Sequence, residues 1–366
     1  MPALPPSSYR ALPLADDILP LRRFLLFRKP GECSMRLALL GMWHTHADGL
    51  VRQAAAHPRE FSLVGFYDPD PKVVEDRKKR WEKLVPRFRL FDSPEALLQE
   101  PLDGVVVEGR VHDNLKMARL ALQKRKPVLL EKPAGDDLEE HRKLIDLARK
   151  SHLHVQMIYL FRYMPAVQEM FKRVQRGDLG QIYMFRARLP KDLRDYKRFV
   201  EELKPYKGGM FFEMAGHVID MMVAMLGKPR SVTPFLAHHH KEEPKSFIDN
   251  GVAVFHYDRA WATVEVPALE VAPHSRRIEV YGTEGALVIP HLGSGHLPNK
   301  NVQTLEVFKK GKSAWERLEL ESQPLQIRDL REFALCVAGK KDPDFSLDHD
   351  LAVQEALLQA SGMVKK

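Results

Sequence analysis

The sequence predicts an α/β protein of two domains, a parallel sheet first and a largely antiparallel open sheet second. Three observations carry this expectation. The first half alternates short apolar runs with segments of helical period, the pattern of successive βαβ units. Beyond about residue 230 the runs become strand-like and are parted by turn signals such as Tyr257-Asp258-Arg259 and Gly282-Thr283-Glu284-Gly285, the texture of antiparallel strands. A chain of 366 residues is also too long for one ordinary core of about 100–150 residues.

In order along the chain, strands are expected at 36–41, 61–67, 104–107, 127–130 and 154–161. Amphipathic segments near 48–57, 71–84, 94–99, 112–124 and 137–150 supply the intervening helices, the last opening on the capping box Asp136-Asp137-Leu138-Glu139. Helices follow at 165–176 and 209–225, with 188–207 read as a loop. Strands are then expected at 231–239, 251–258, 260–267, 276–281, 285–289, 303–309 and 316–320, and helices at 325–339 and 348–364. The domain limits read as 35–154, 155–325 and a helical end at 326–366, after an extension at 1–34.

Composition narrows the function classes. Hydrophobic residues make up 44% and charged residues 29%, values of a globular chain. The net charge of +8 is spread among acids, as in Glu75-Asp76-Arg77-Lys78-Lys79-Arg80-Trp81-Glu82-Lys83, which reads as a solvated helix face. A nucleic-acid binder would gather its charge on one face, so no nucleic-acid partner is expected. No apolar run approaches a membrane span, so no membrane partner is expected either. Two cysteines, Cys33 and Cys336, exclude a disulfide framework and suit a reducing, cytoplasmic setting. Residues 1–34 are rich in Pro and Leu, carry Asp16-Asp17 and lack an unbroken apolar region, so they do not read as a secretory signal.

Three stretches carry chemistry. The first strand runs into Gly41-Met42-Trp43-His44-Thr45-His46. Gly41 fits the first position of a dinucleotide fingerprint, whereas Trp43 and His46 stand at its second and third. The second strand ends on Asp68-Pro69-Asp70, and Asp68 is placed to accept from both ribose hydroxyls of NAD while repelling the 2′-phosphate of NADP. The fourth strand runs into Glu131-Lys132-Pro133, a carboxylate and a cation at the edge where open α/β sheets bind ligands. In Gly208-Gly209-Met210-Phe211-Phe212-Glu213-Met214-Ala215-Gly216-His217-Val218-Ile219-Asp220, the spacing puts Glu213, His217 and Asp220 on one helix face amid apolar neighbours. An imidazole beside a carboxylate equips such a face for proton transfer near neutral pH.

Taken in order, these landmarks resemble the glucose-fructose oxidoreductase / inositol dehydrogenase / MocA (Gfo/Idh/MocA) family. So do His112 opening a crossover helix, Arg162-Tyr163-Met164-Pro165, Gly177-Asp178-Leu179-Gly180-Gln181-Ile182 and Gly282-Thr283-Glu284-Gly285. The resemblance implies an N-terminal Rossmann domain, an α/β substrate domain, and NAD(P)-dependent oxidation or reduction of a sugar or polyol, often in a homodimer or homotetramer. Carried over residue by residue, it implies that Lys132 contacts substrate and nicotinamide ribose, that His217 is the general acid/base, and that Glu213 assists where the family usually has aspartate. Gly41, Trp43, His44, His46, Asp68, Glu108, His112, Glu131, Lys132 and Pro133 are the expected cofactor residues. Arg162, Lys132, Glu213, His217 and Asp220 are the expected substrate residues. Two departures stand out: Trp43 in place of the second glycine, and Glu108-Gly109-Arg110-Val111-His112 in place of a Thr-Pro-Asn-like loop.

Two other readings compete. Trp43 and Glu108 suit a cofactor-binding sensor or regulator without turnover. His44 and His46 after a first strand resemble the metal-binding start of barrel hydrolases, with His238-His239-His240 as further ligands. That barrel would need eight βα units, which the strand texture after residue 230 does not supply. The strong strand beginning at Met35 leads us to expect translation to start there, leaving Cys336 as the single cysteine. The intact mass of the native protein should match residues 35–366, and a mass matching residue 1 onward would overturn this.

Overall fold

The computed structural model describes residues 34–85, 87–241, 247–293, 302–322 and 324–364. The extension expected at 1–34 therefore lies, except for Ser34, outside the described residues, as does Cys33. The chain divides into two compact units.

The first unit holds residues up to Glu131, Arg142–Ile158 and Gln326–Ser346. Its strands β1 (Met35–Leu40), β2 (Phe61–Tyr67), β3 (Gly104–Val107), β4 (Val128–Glu131) and β5 (Val155–Ile158) form one sheet in the order β2-β1-β3-β4-β5. Every pairing is parallel. Strands β3, β4 and β5 are buried at every position, which is why they read as nearly continuous apolar runs. Helices α1 (His46–Ala56), α2 (Pro71–Trp81), α3 (Pro94–Leu98), α4 (Val111–Gln123) and α5 (Leu138–Ser151) connect them. The N-terminus of α5 is capped by Asp137, whose Oδ1 accepts from the amides of Glu139 (2.9 Å) and Glu140 (3.0 Å). The fifth strand stops at Ile158, short of the expected 161, because Leu160–Tyr163 winds into a 3-10 turn.

Helix α9 (Leu325–Val337) follows the second sheet in sequence, yet it belongs mainly to the first unit. Gln156 Nε2 of β5 donates to the Asp329 carbonyl at 3.1 Å, and Arg331 grips Glu60 through two 2.8 Å hydrogen bonds. Phe333 fills the space left by Gly104, where an added Cβ would lie 2.5 Å from its ring.

The second unit holds Lys132–His141, Tyr159–Leu325 and Leu347–Lys366. Its strands are β6 (Ile182–Arg188), β7 (Ser231–Ala237), β8 (Asn250–His256), β9 (Trp261–Pro267), β10 (Arg277–Gly282), β11 (Gly285–Ile289), β12 (Val302–Lys309) and β13 (Glu316–Glu321). They pair in the order β13-β12-β11-β10-β6-β9-β8-β7. Only β6 and β9 run parallel, so the sheet is largely antiparallel as expected. Strand β6 is absent from the sequence expectation. Its arginines are satisfied across the strand, Arg186 meeting Glu279 at 3.3 Å, and they mask the alternation of Phe185 and Ala187 toward the core. Within the expected loop 188–207 the chain forms the short helix α7 (Lys197–Leu203).

Helices α6 (Pro165–Gln175), α8 (Gly209–Leu226) and α10 (Leu347–Ala360) complete this unit. Helix α8 is 18 residues long with a mean hydropathy of 1.4, and 83% of it is buried. That qualifies the expectation that no apolar run approaches membrane-span length: α8 does, and it is spent as the core helix of this unit. It starts at Gly209 with φ +48°, where a Cβ would lie 2.3 Å from the Ile248 carbonyl, so the position requires glycine. Gly216 lets Tyr159 and Leu357 approach, a Cβ there standing 3.3 and 3.5 Å from them.

His141, on the first turns of α5, is 1% exposed, and neither ring nitrogen has a partner among the described residues. Burial pushes its imidazole down to about 4. The folded state keeps the ring neutral while the unfolded chain protonates near 6.5, so stability is full above that pH and is lost as pH falls toward 4. From pH 7 to 4 the unfolding free energy of the wild type should fall by about 3 kcal/mol more than that of His141→Gln. Denaturant titrations at stepped pH check this; parallel pH profiles would overturn it.

Candidate active site

In the first unit, the turn from β1 to α1 is built from below by a residue hidden in the charged run of α2. Arg77 is 1% exposed. It donates from Nε to the Met42 carbonyl (2.7 Å) and from Nη2 to the carbonyls of Trp43 (3.0 Å) and His44 (2.9 Å). Its Nη1 meets Asp48, which also accepts from the Trp81 indole at 2.7 Å. The reading of 75–83 as a solvated face therefore holds for Lys79 and Arg80 and fails for Arg77 and Trp81. Trp81 four residues after Arg77 was the available signal, since both lie on one helix face.

Gly41 takes φ +85°, and a Cβ there would lie 2.5 Å from Cα of Gly109. The main chain after β1 can come this close to that after β3 only with a glycine at position 41. Asp68 is turned onto the same loop: Oδ2 accepts from the Met42 amide (2.6 Å) and Oδ1 from the Asp70 amide (2.9 Å). Burial outweighs these hydrogen bonds and raises its carboxyl above the ordinary carboxylate value. Asp70 pairs with Arg110 at 2.9 Å, and the Arg110 guanidinium lies 5.3 Å from the Trp43 ring. The indole of Trp43 is 6% exposed, tucked in rather than projecting.

The ends of β1, β3 and β4 bring together His44, His46, Glu108 and Glu131. Glu131 stands 3.0 Å from His46 Nδ1 and 3.4 Å from His44 Nδ1, and Glu108 stands 3.7 Å from His44 Nδ1. Two buried carboxylates thus stand beside two imidazoles. His44, His46 and Glu131 offer ligand atoms within 4.8 Å of one another. The rest of a barrel hydrolase does not accompany them, since the described residues form five parallel strands and a separate antiparallel sheet. His238 bonds the Phe247 carbonyl at 2.9 Å, and the amides of His239 and His240 donate to Asp249, the fittings of a strand end. His112 is on the surface, 60% exposed and 3.3 Å from Asp113.

These residues fit a dinucleotide. The Gly41–Gly109 approach keeps the turn free of side chain at its tightest point, Arg77 fixes the loop, and Asp68 is held at its edge. Asn114, in the first turn of α4, is 1% exposed with its Oδ1 unpartnered among the described residues, a buried acceptor of the kind a bound group would satisfy.

The second unit holds the proton-transfer candidates. The Lys132 ammonium donates to the Glu213 carbonyl at 2.8 Å and pairs with the Glu213 carboxylate. One turn on, His217 stacks on Phe161 with ring centroids 4.6 Å apart and meets Tyr159 edge-on at 6.3 Å. All three polar residues are nearly buried, at 2%, 4% and 3% exposure. Pro133 lies buried after Lys132.

Arg162 and Asp220, expected at the substrate, spend their hydrogen bonds on each other. Arg162 Nη2 donates to Asp220 (2.8 Å) and to Asp350 of α10 (2.6 Å), and His349 stands 2.8 Å from Asp220. Burial opposes ionisation of Asp220, but Arg162 and His349 outweigh it and hold the carboxyl below its ordinary value. The structure gives this pair the role of joining α8, α10 and the turn at Leu160–Tyr163. Asp350 and His349, 188 and 129 residues away in sequence from their partners, were not foreseen.

A parallel nucleotide-binding sheet joined to a mostly antiparallel α/β unit, with a buried lysine after β4 paired to a glutamate one turn before a histidine on one buried helix, defines the class of nicotinamide-dependent oxidoreductases with a separate substrate domain. The model of an oxidoreductase family with an NAD-binding Rossmann fold matches residues 35–159, and that of the GFO/IDH/MocA C-terminal domain matches 167–288. The chain belongs to the GFO/IDH/MocA oxidoreductase family. It is 23% identical over 323 residues to scyllo-inositol 2-dehydrogenase (NAD(+)) of Bacillus subtilis, covering 85% of this chain and 89% of that one. Among solved structures, UDP-N-acetylglucosamine 3-dehydrogenase from Acidithiobacillus ferrooxidans superposes with a TM-score of 0.72 at 20% identity, over 91% of this chain and 98% of that one. The WlbA dehydrogenase of Bordetella pertussis, solved with NADH and UDP-GlcNAcA, gives 0.71 at 18% identity, over 90% and 97%.

Removing one member of a buried charge network strands the others. Arg162→Ala should lower the unfolding free energy by about 3–5 kcal/mol in denaturant titration. A loss below about 1 kcal/mol would show that the network contributes little.

Proposed function

We propose that this protein moves a hydride between NAD and a secondary alcohol of a sugar or polyol, with His217 as general acid/base and Lys132 holding the reacting oxygen. The observation that carries this reading is the set gathered at α8: the buried Lys132, which follows β4 and is fixed by Glu213 of the helix, and a histidine one turn on whose ring is set by Phe161. A bound nicotinamide supplies the hydride acceptor or donor. His217 takes the hydroxyl proton as the carbonyl forms, or returns it in the reverse direction. Lys132 donates toward the same oxygen and offsets its developing negative charge in a dry setting, where such a donor is most effective. Glu213 holds the ammonium in place, so that little reorganisation is needed as charge develops.

NAD is favoured over NADP by Asp68, whose carboxylate is anchored at the loop edge and would repel a 2′-phosphate. The side-chain-free turn at Gly41 would run beside the pyrophosphate, with His44 and His46 next to Glu108 and Glu131. Self-association through the open face of the second sheet is supported by the exposed aromatics Tyr183 and Trp261 on neighbouring strands.

His217→Ala should leave NADH binding by fluorescence titration unchanged and lower turnover by about 10²–10⁴-fold on any accepted polyol. Unchanged turnover would refute the assignment.

A further inference from the structure

We propose that Lys191, Tyr196 and Arg276 form an anion-binding subsite beside His217, so that the substrate is a sugar or polyol bearing a carboxylate or phosphate. This rests on the oxidoreductase reading above and specifies its substrate class.

Lys191 follows β6, and its main chain is pinned on both sides: its amide donates to the Pro267 carbonyl (2.9 Å), and its carbonyl accepts from the Glu270 amide (3.1 Å). The side chain is 8% exposed. Its ammonium donates to the Tyr196 hydroxyl and lies 3.9 Å from the centre of that ring. Arg276, half-buried before β10, donates from Nε to the Pro190 carbonyl at 3.4 Å. Beside it stands Gly293, where a Cβ would lie 3.4 Å from Arg276 Nη1 and 4.0 Å from the ring of Phe161. Phe161 is the ring stacked on His217. Gly293 therefore lies between Arg276 and the ring stacked on the proton-transfer residue.

Neither cation has a carboxylate partner among the described residues. Of the neighbouring acids, Glu213 is engaged with Lys132 and Glu270 with Arg188 and Ser275, while Asp195 is exposed to water and makes no ion pair with either cation. Burial first, then Arg276 and Lys132, push the Lys191 ammonium down to about 7. Like charges gathered away from water without a counter-charge are costly. An incoming anion removes that cost, and Lys191, Arg276 and the Tyr196 hydroxyl supply donors suited to carboxylate or phosphate oxygens. Arg276 is shaped for a two-point grip.

Calorimetric titration of the full chain with glucose, glucuronate and glucose 6-phosphate tests this. At least one anionic sugar should bind tenfold more tightly than glucose, and the tighter of the two identifies carboxylate or phosphate. Lys191→Met and Arg276→Met should each cut that preference to below threefold. Inorganic phosphate should compete with the anionic sugar on the wild type, a check that needs no variant. Equal binding of glucose, absence of anion binding, or preference retained in both variants would overturn the subsite. Anion binding without NADH formation from NAD and any of the three sugars would instead count against the oxidoreductase reading and leave the subsite standing.

Discussion

The second unit is organised around a charge that has nowhere to go. Lys132 leaves β4 directly into buried surroundings, and among the described residues Glu213 on α8 is the partner that makes its ammonium tolerable there. Once that pair exists, the rotation of α8 is set. His217 follows one turn later on the same face, and the apolar remainder of the helix must be covered. Gly209 and Gly216 make that covering possible by letting the Ile248 carbonyl, Tyr159 and Leu357 come close. The ion pair is weak evidence for stability, because desolvation consumes much of what it returns. Its value lies in geometry: an ammonium held at one fixed place beside α8.

The first unit reaches a comparable result through the main chain. Arg77 draws three successive carbonyls of the β1–α1 turn toward itself, and Asp68 takes the Met42 amide. A loop with tryptophan where a fingerprint has glycine can keep a fixed path because a buried guanidinium holds it. Trp43 is drawn in under Arg110 by the same arrangement. The side chain that damages the motif is thus part of the packing that preserves the turn.

Much of the fold was legible because period and burial agree. Strands such as Val105, Val106 and Val107 are apolar on both faces, and the alternation of β8 and β9 matches their buried and exposed sides. Strand β6 escaped because its exposed arginines break the apolar pattern, and α7 because it is one short helix inside a polar stretch. At the site, Glu213 and His217 were legible from spacing, since a helix converts sequence distance into a face, and Lys132 was legible from its place at a strand end. Arg77 was hidden by its neighbours, and the partnership of Arg162 with Asp350 could not be read at all. Spacing says nothing about which of several buried acids a cation will meet when they are far apart along the chain.

That last network has a consequence for how the molecule is made. Arg162 and Asp220 wait for His349 and Asp350, which lie on the last helix of the described chain. During synthesis, α8 emerges long before α10 can cover it, and an apolar helix carrying buried charges is exposed for that interval. The stretch from α8 to α10 must therefore be synthesised before Arg162 and Asp220 can meet their partners, and in that interval an uncovered apolar helix is open to aggregation.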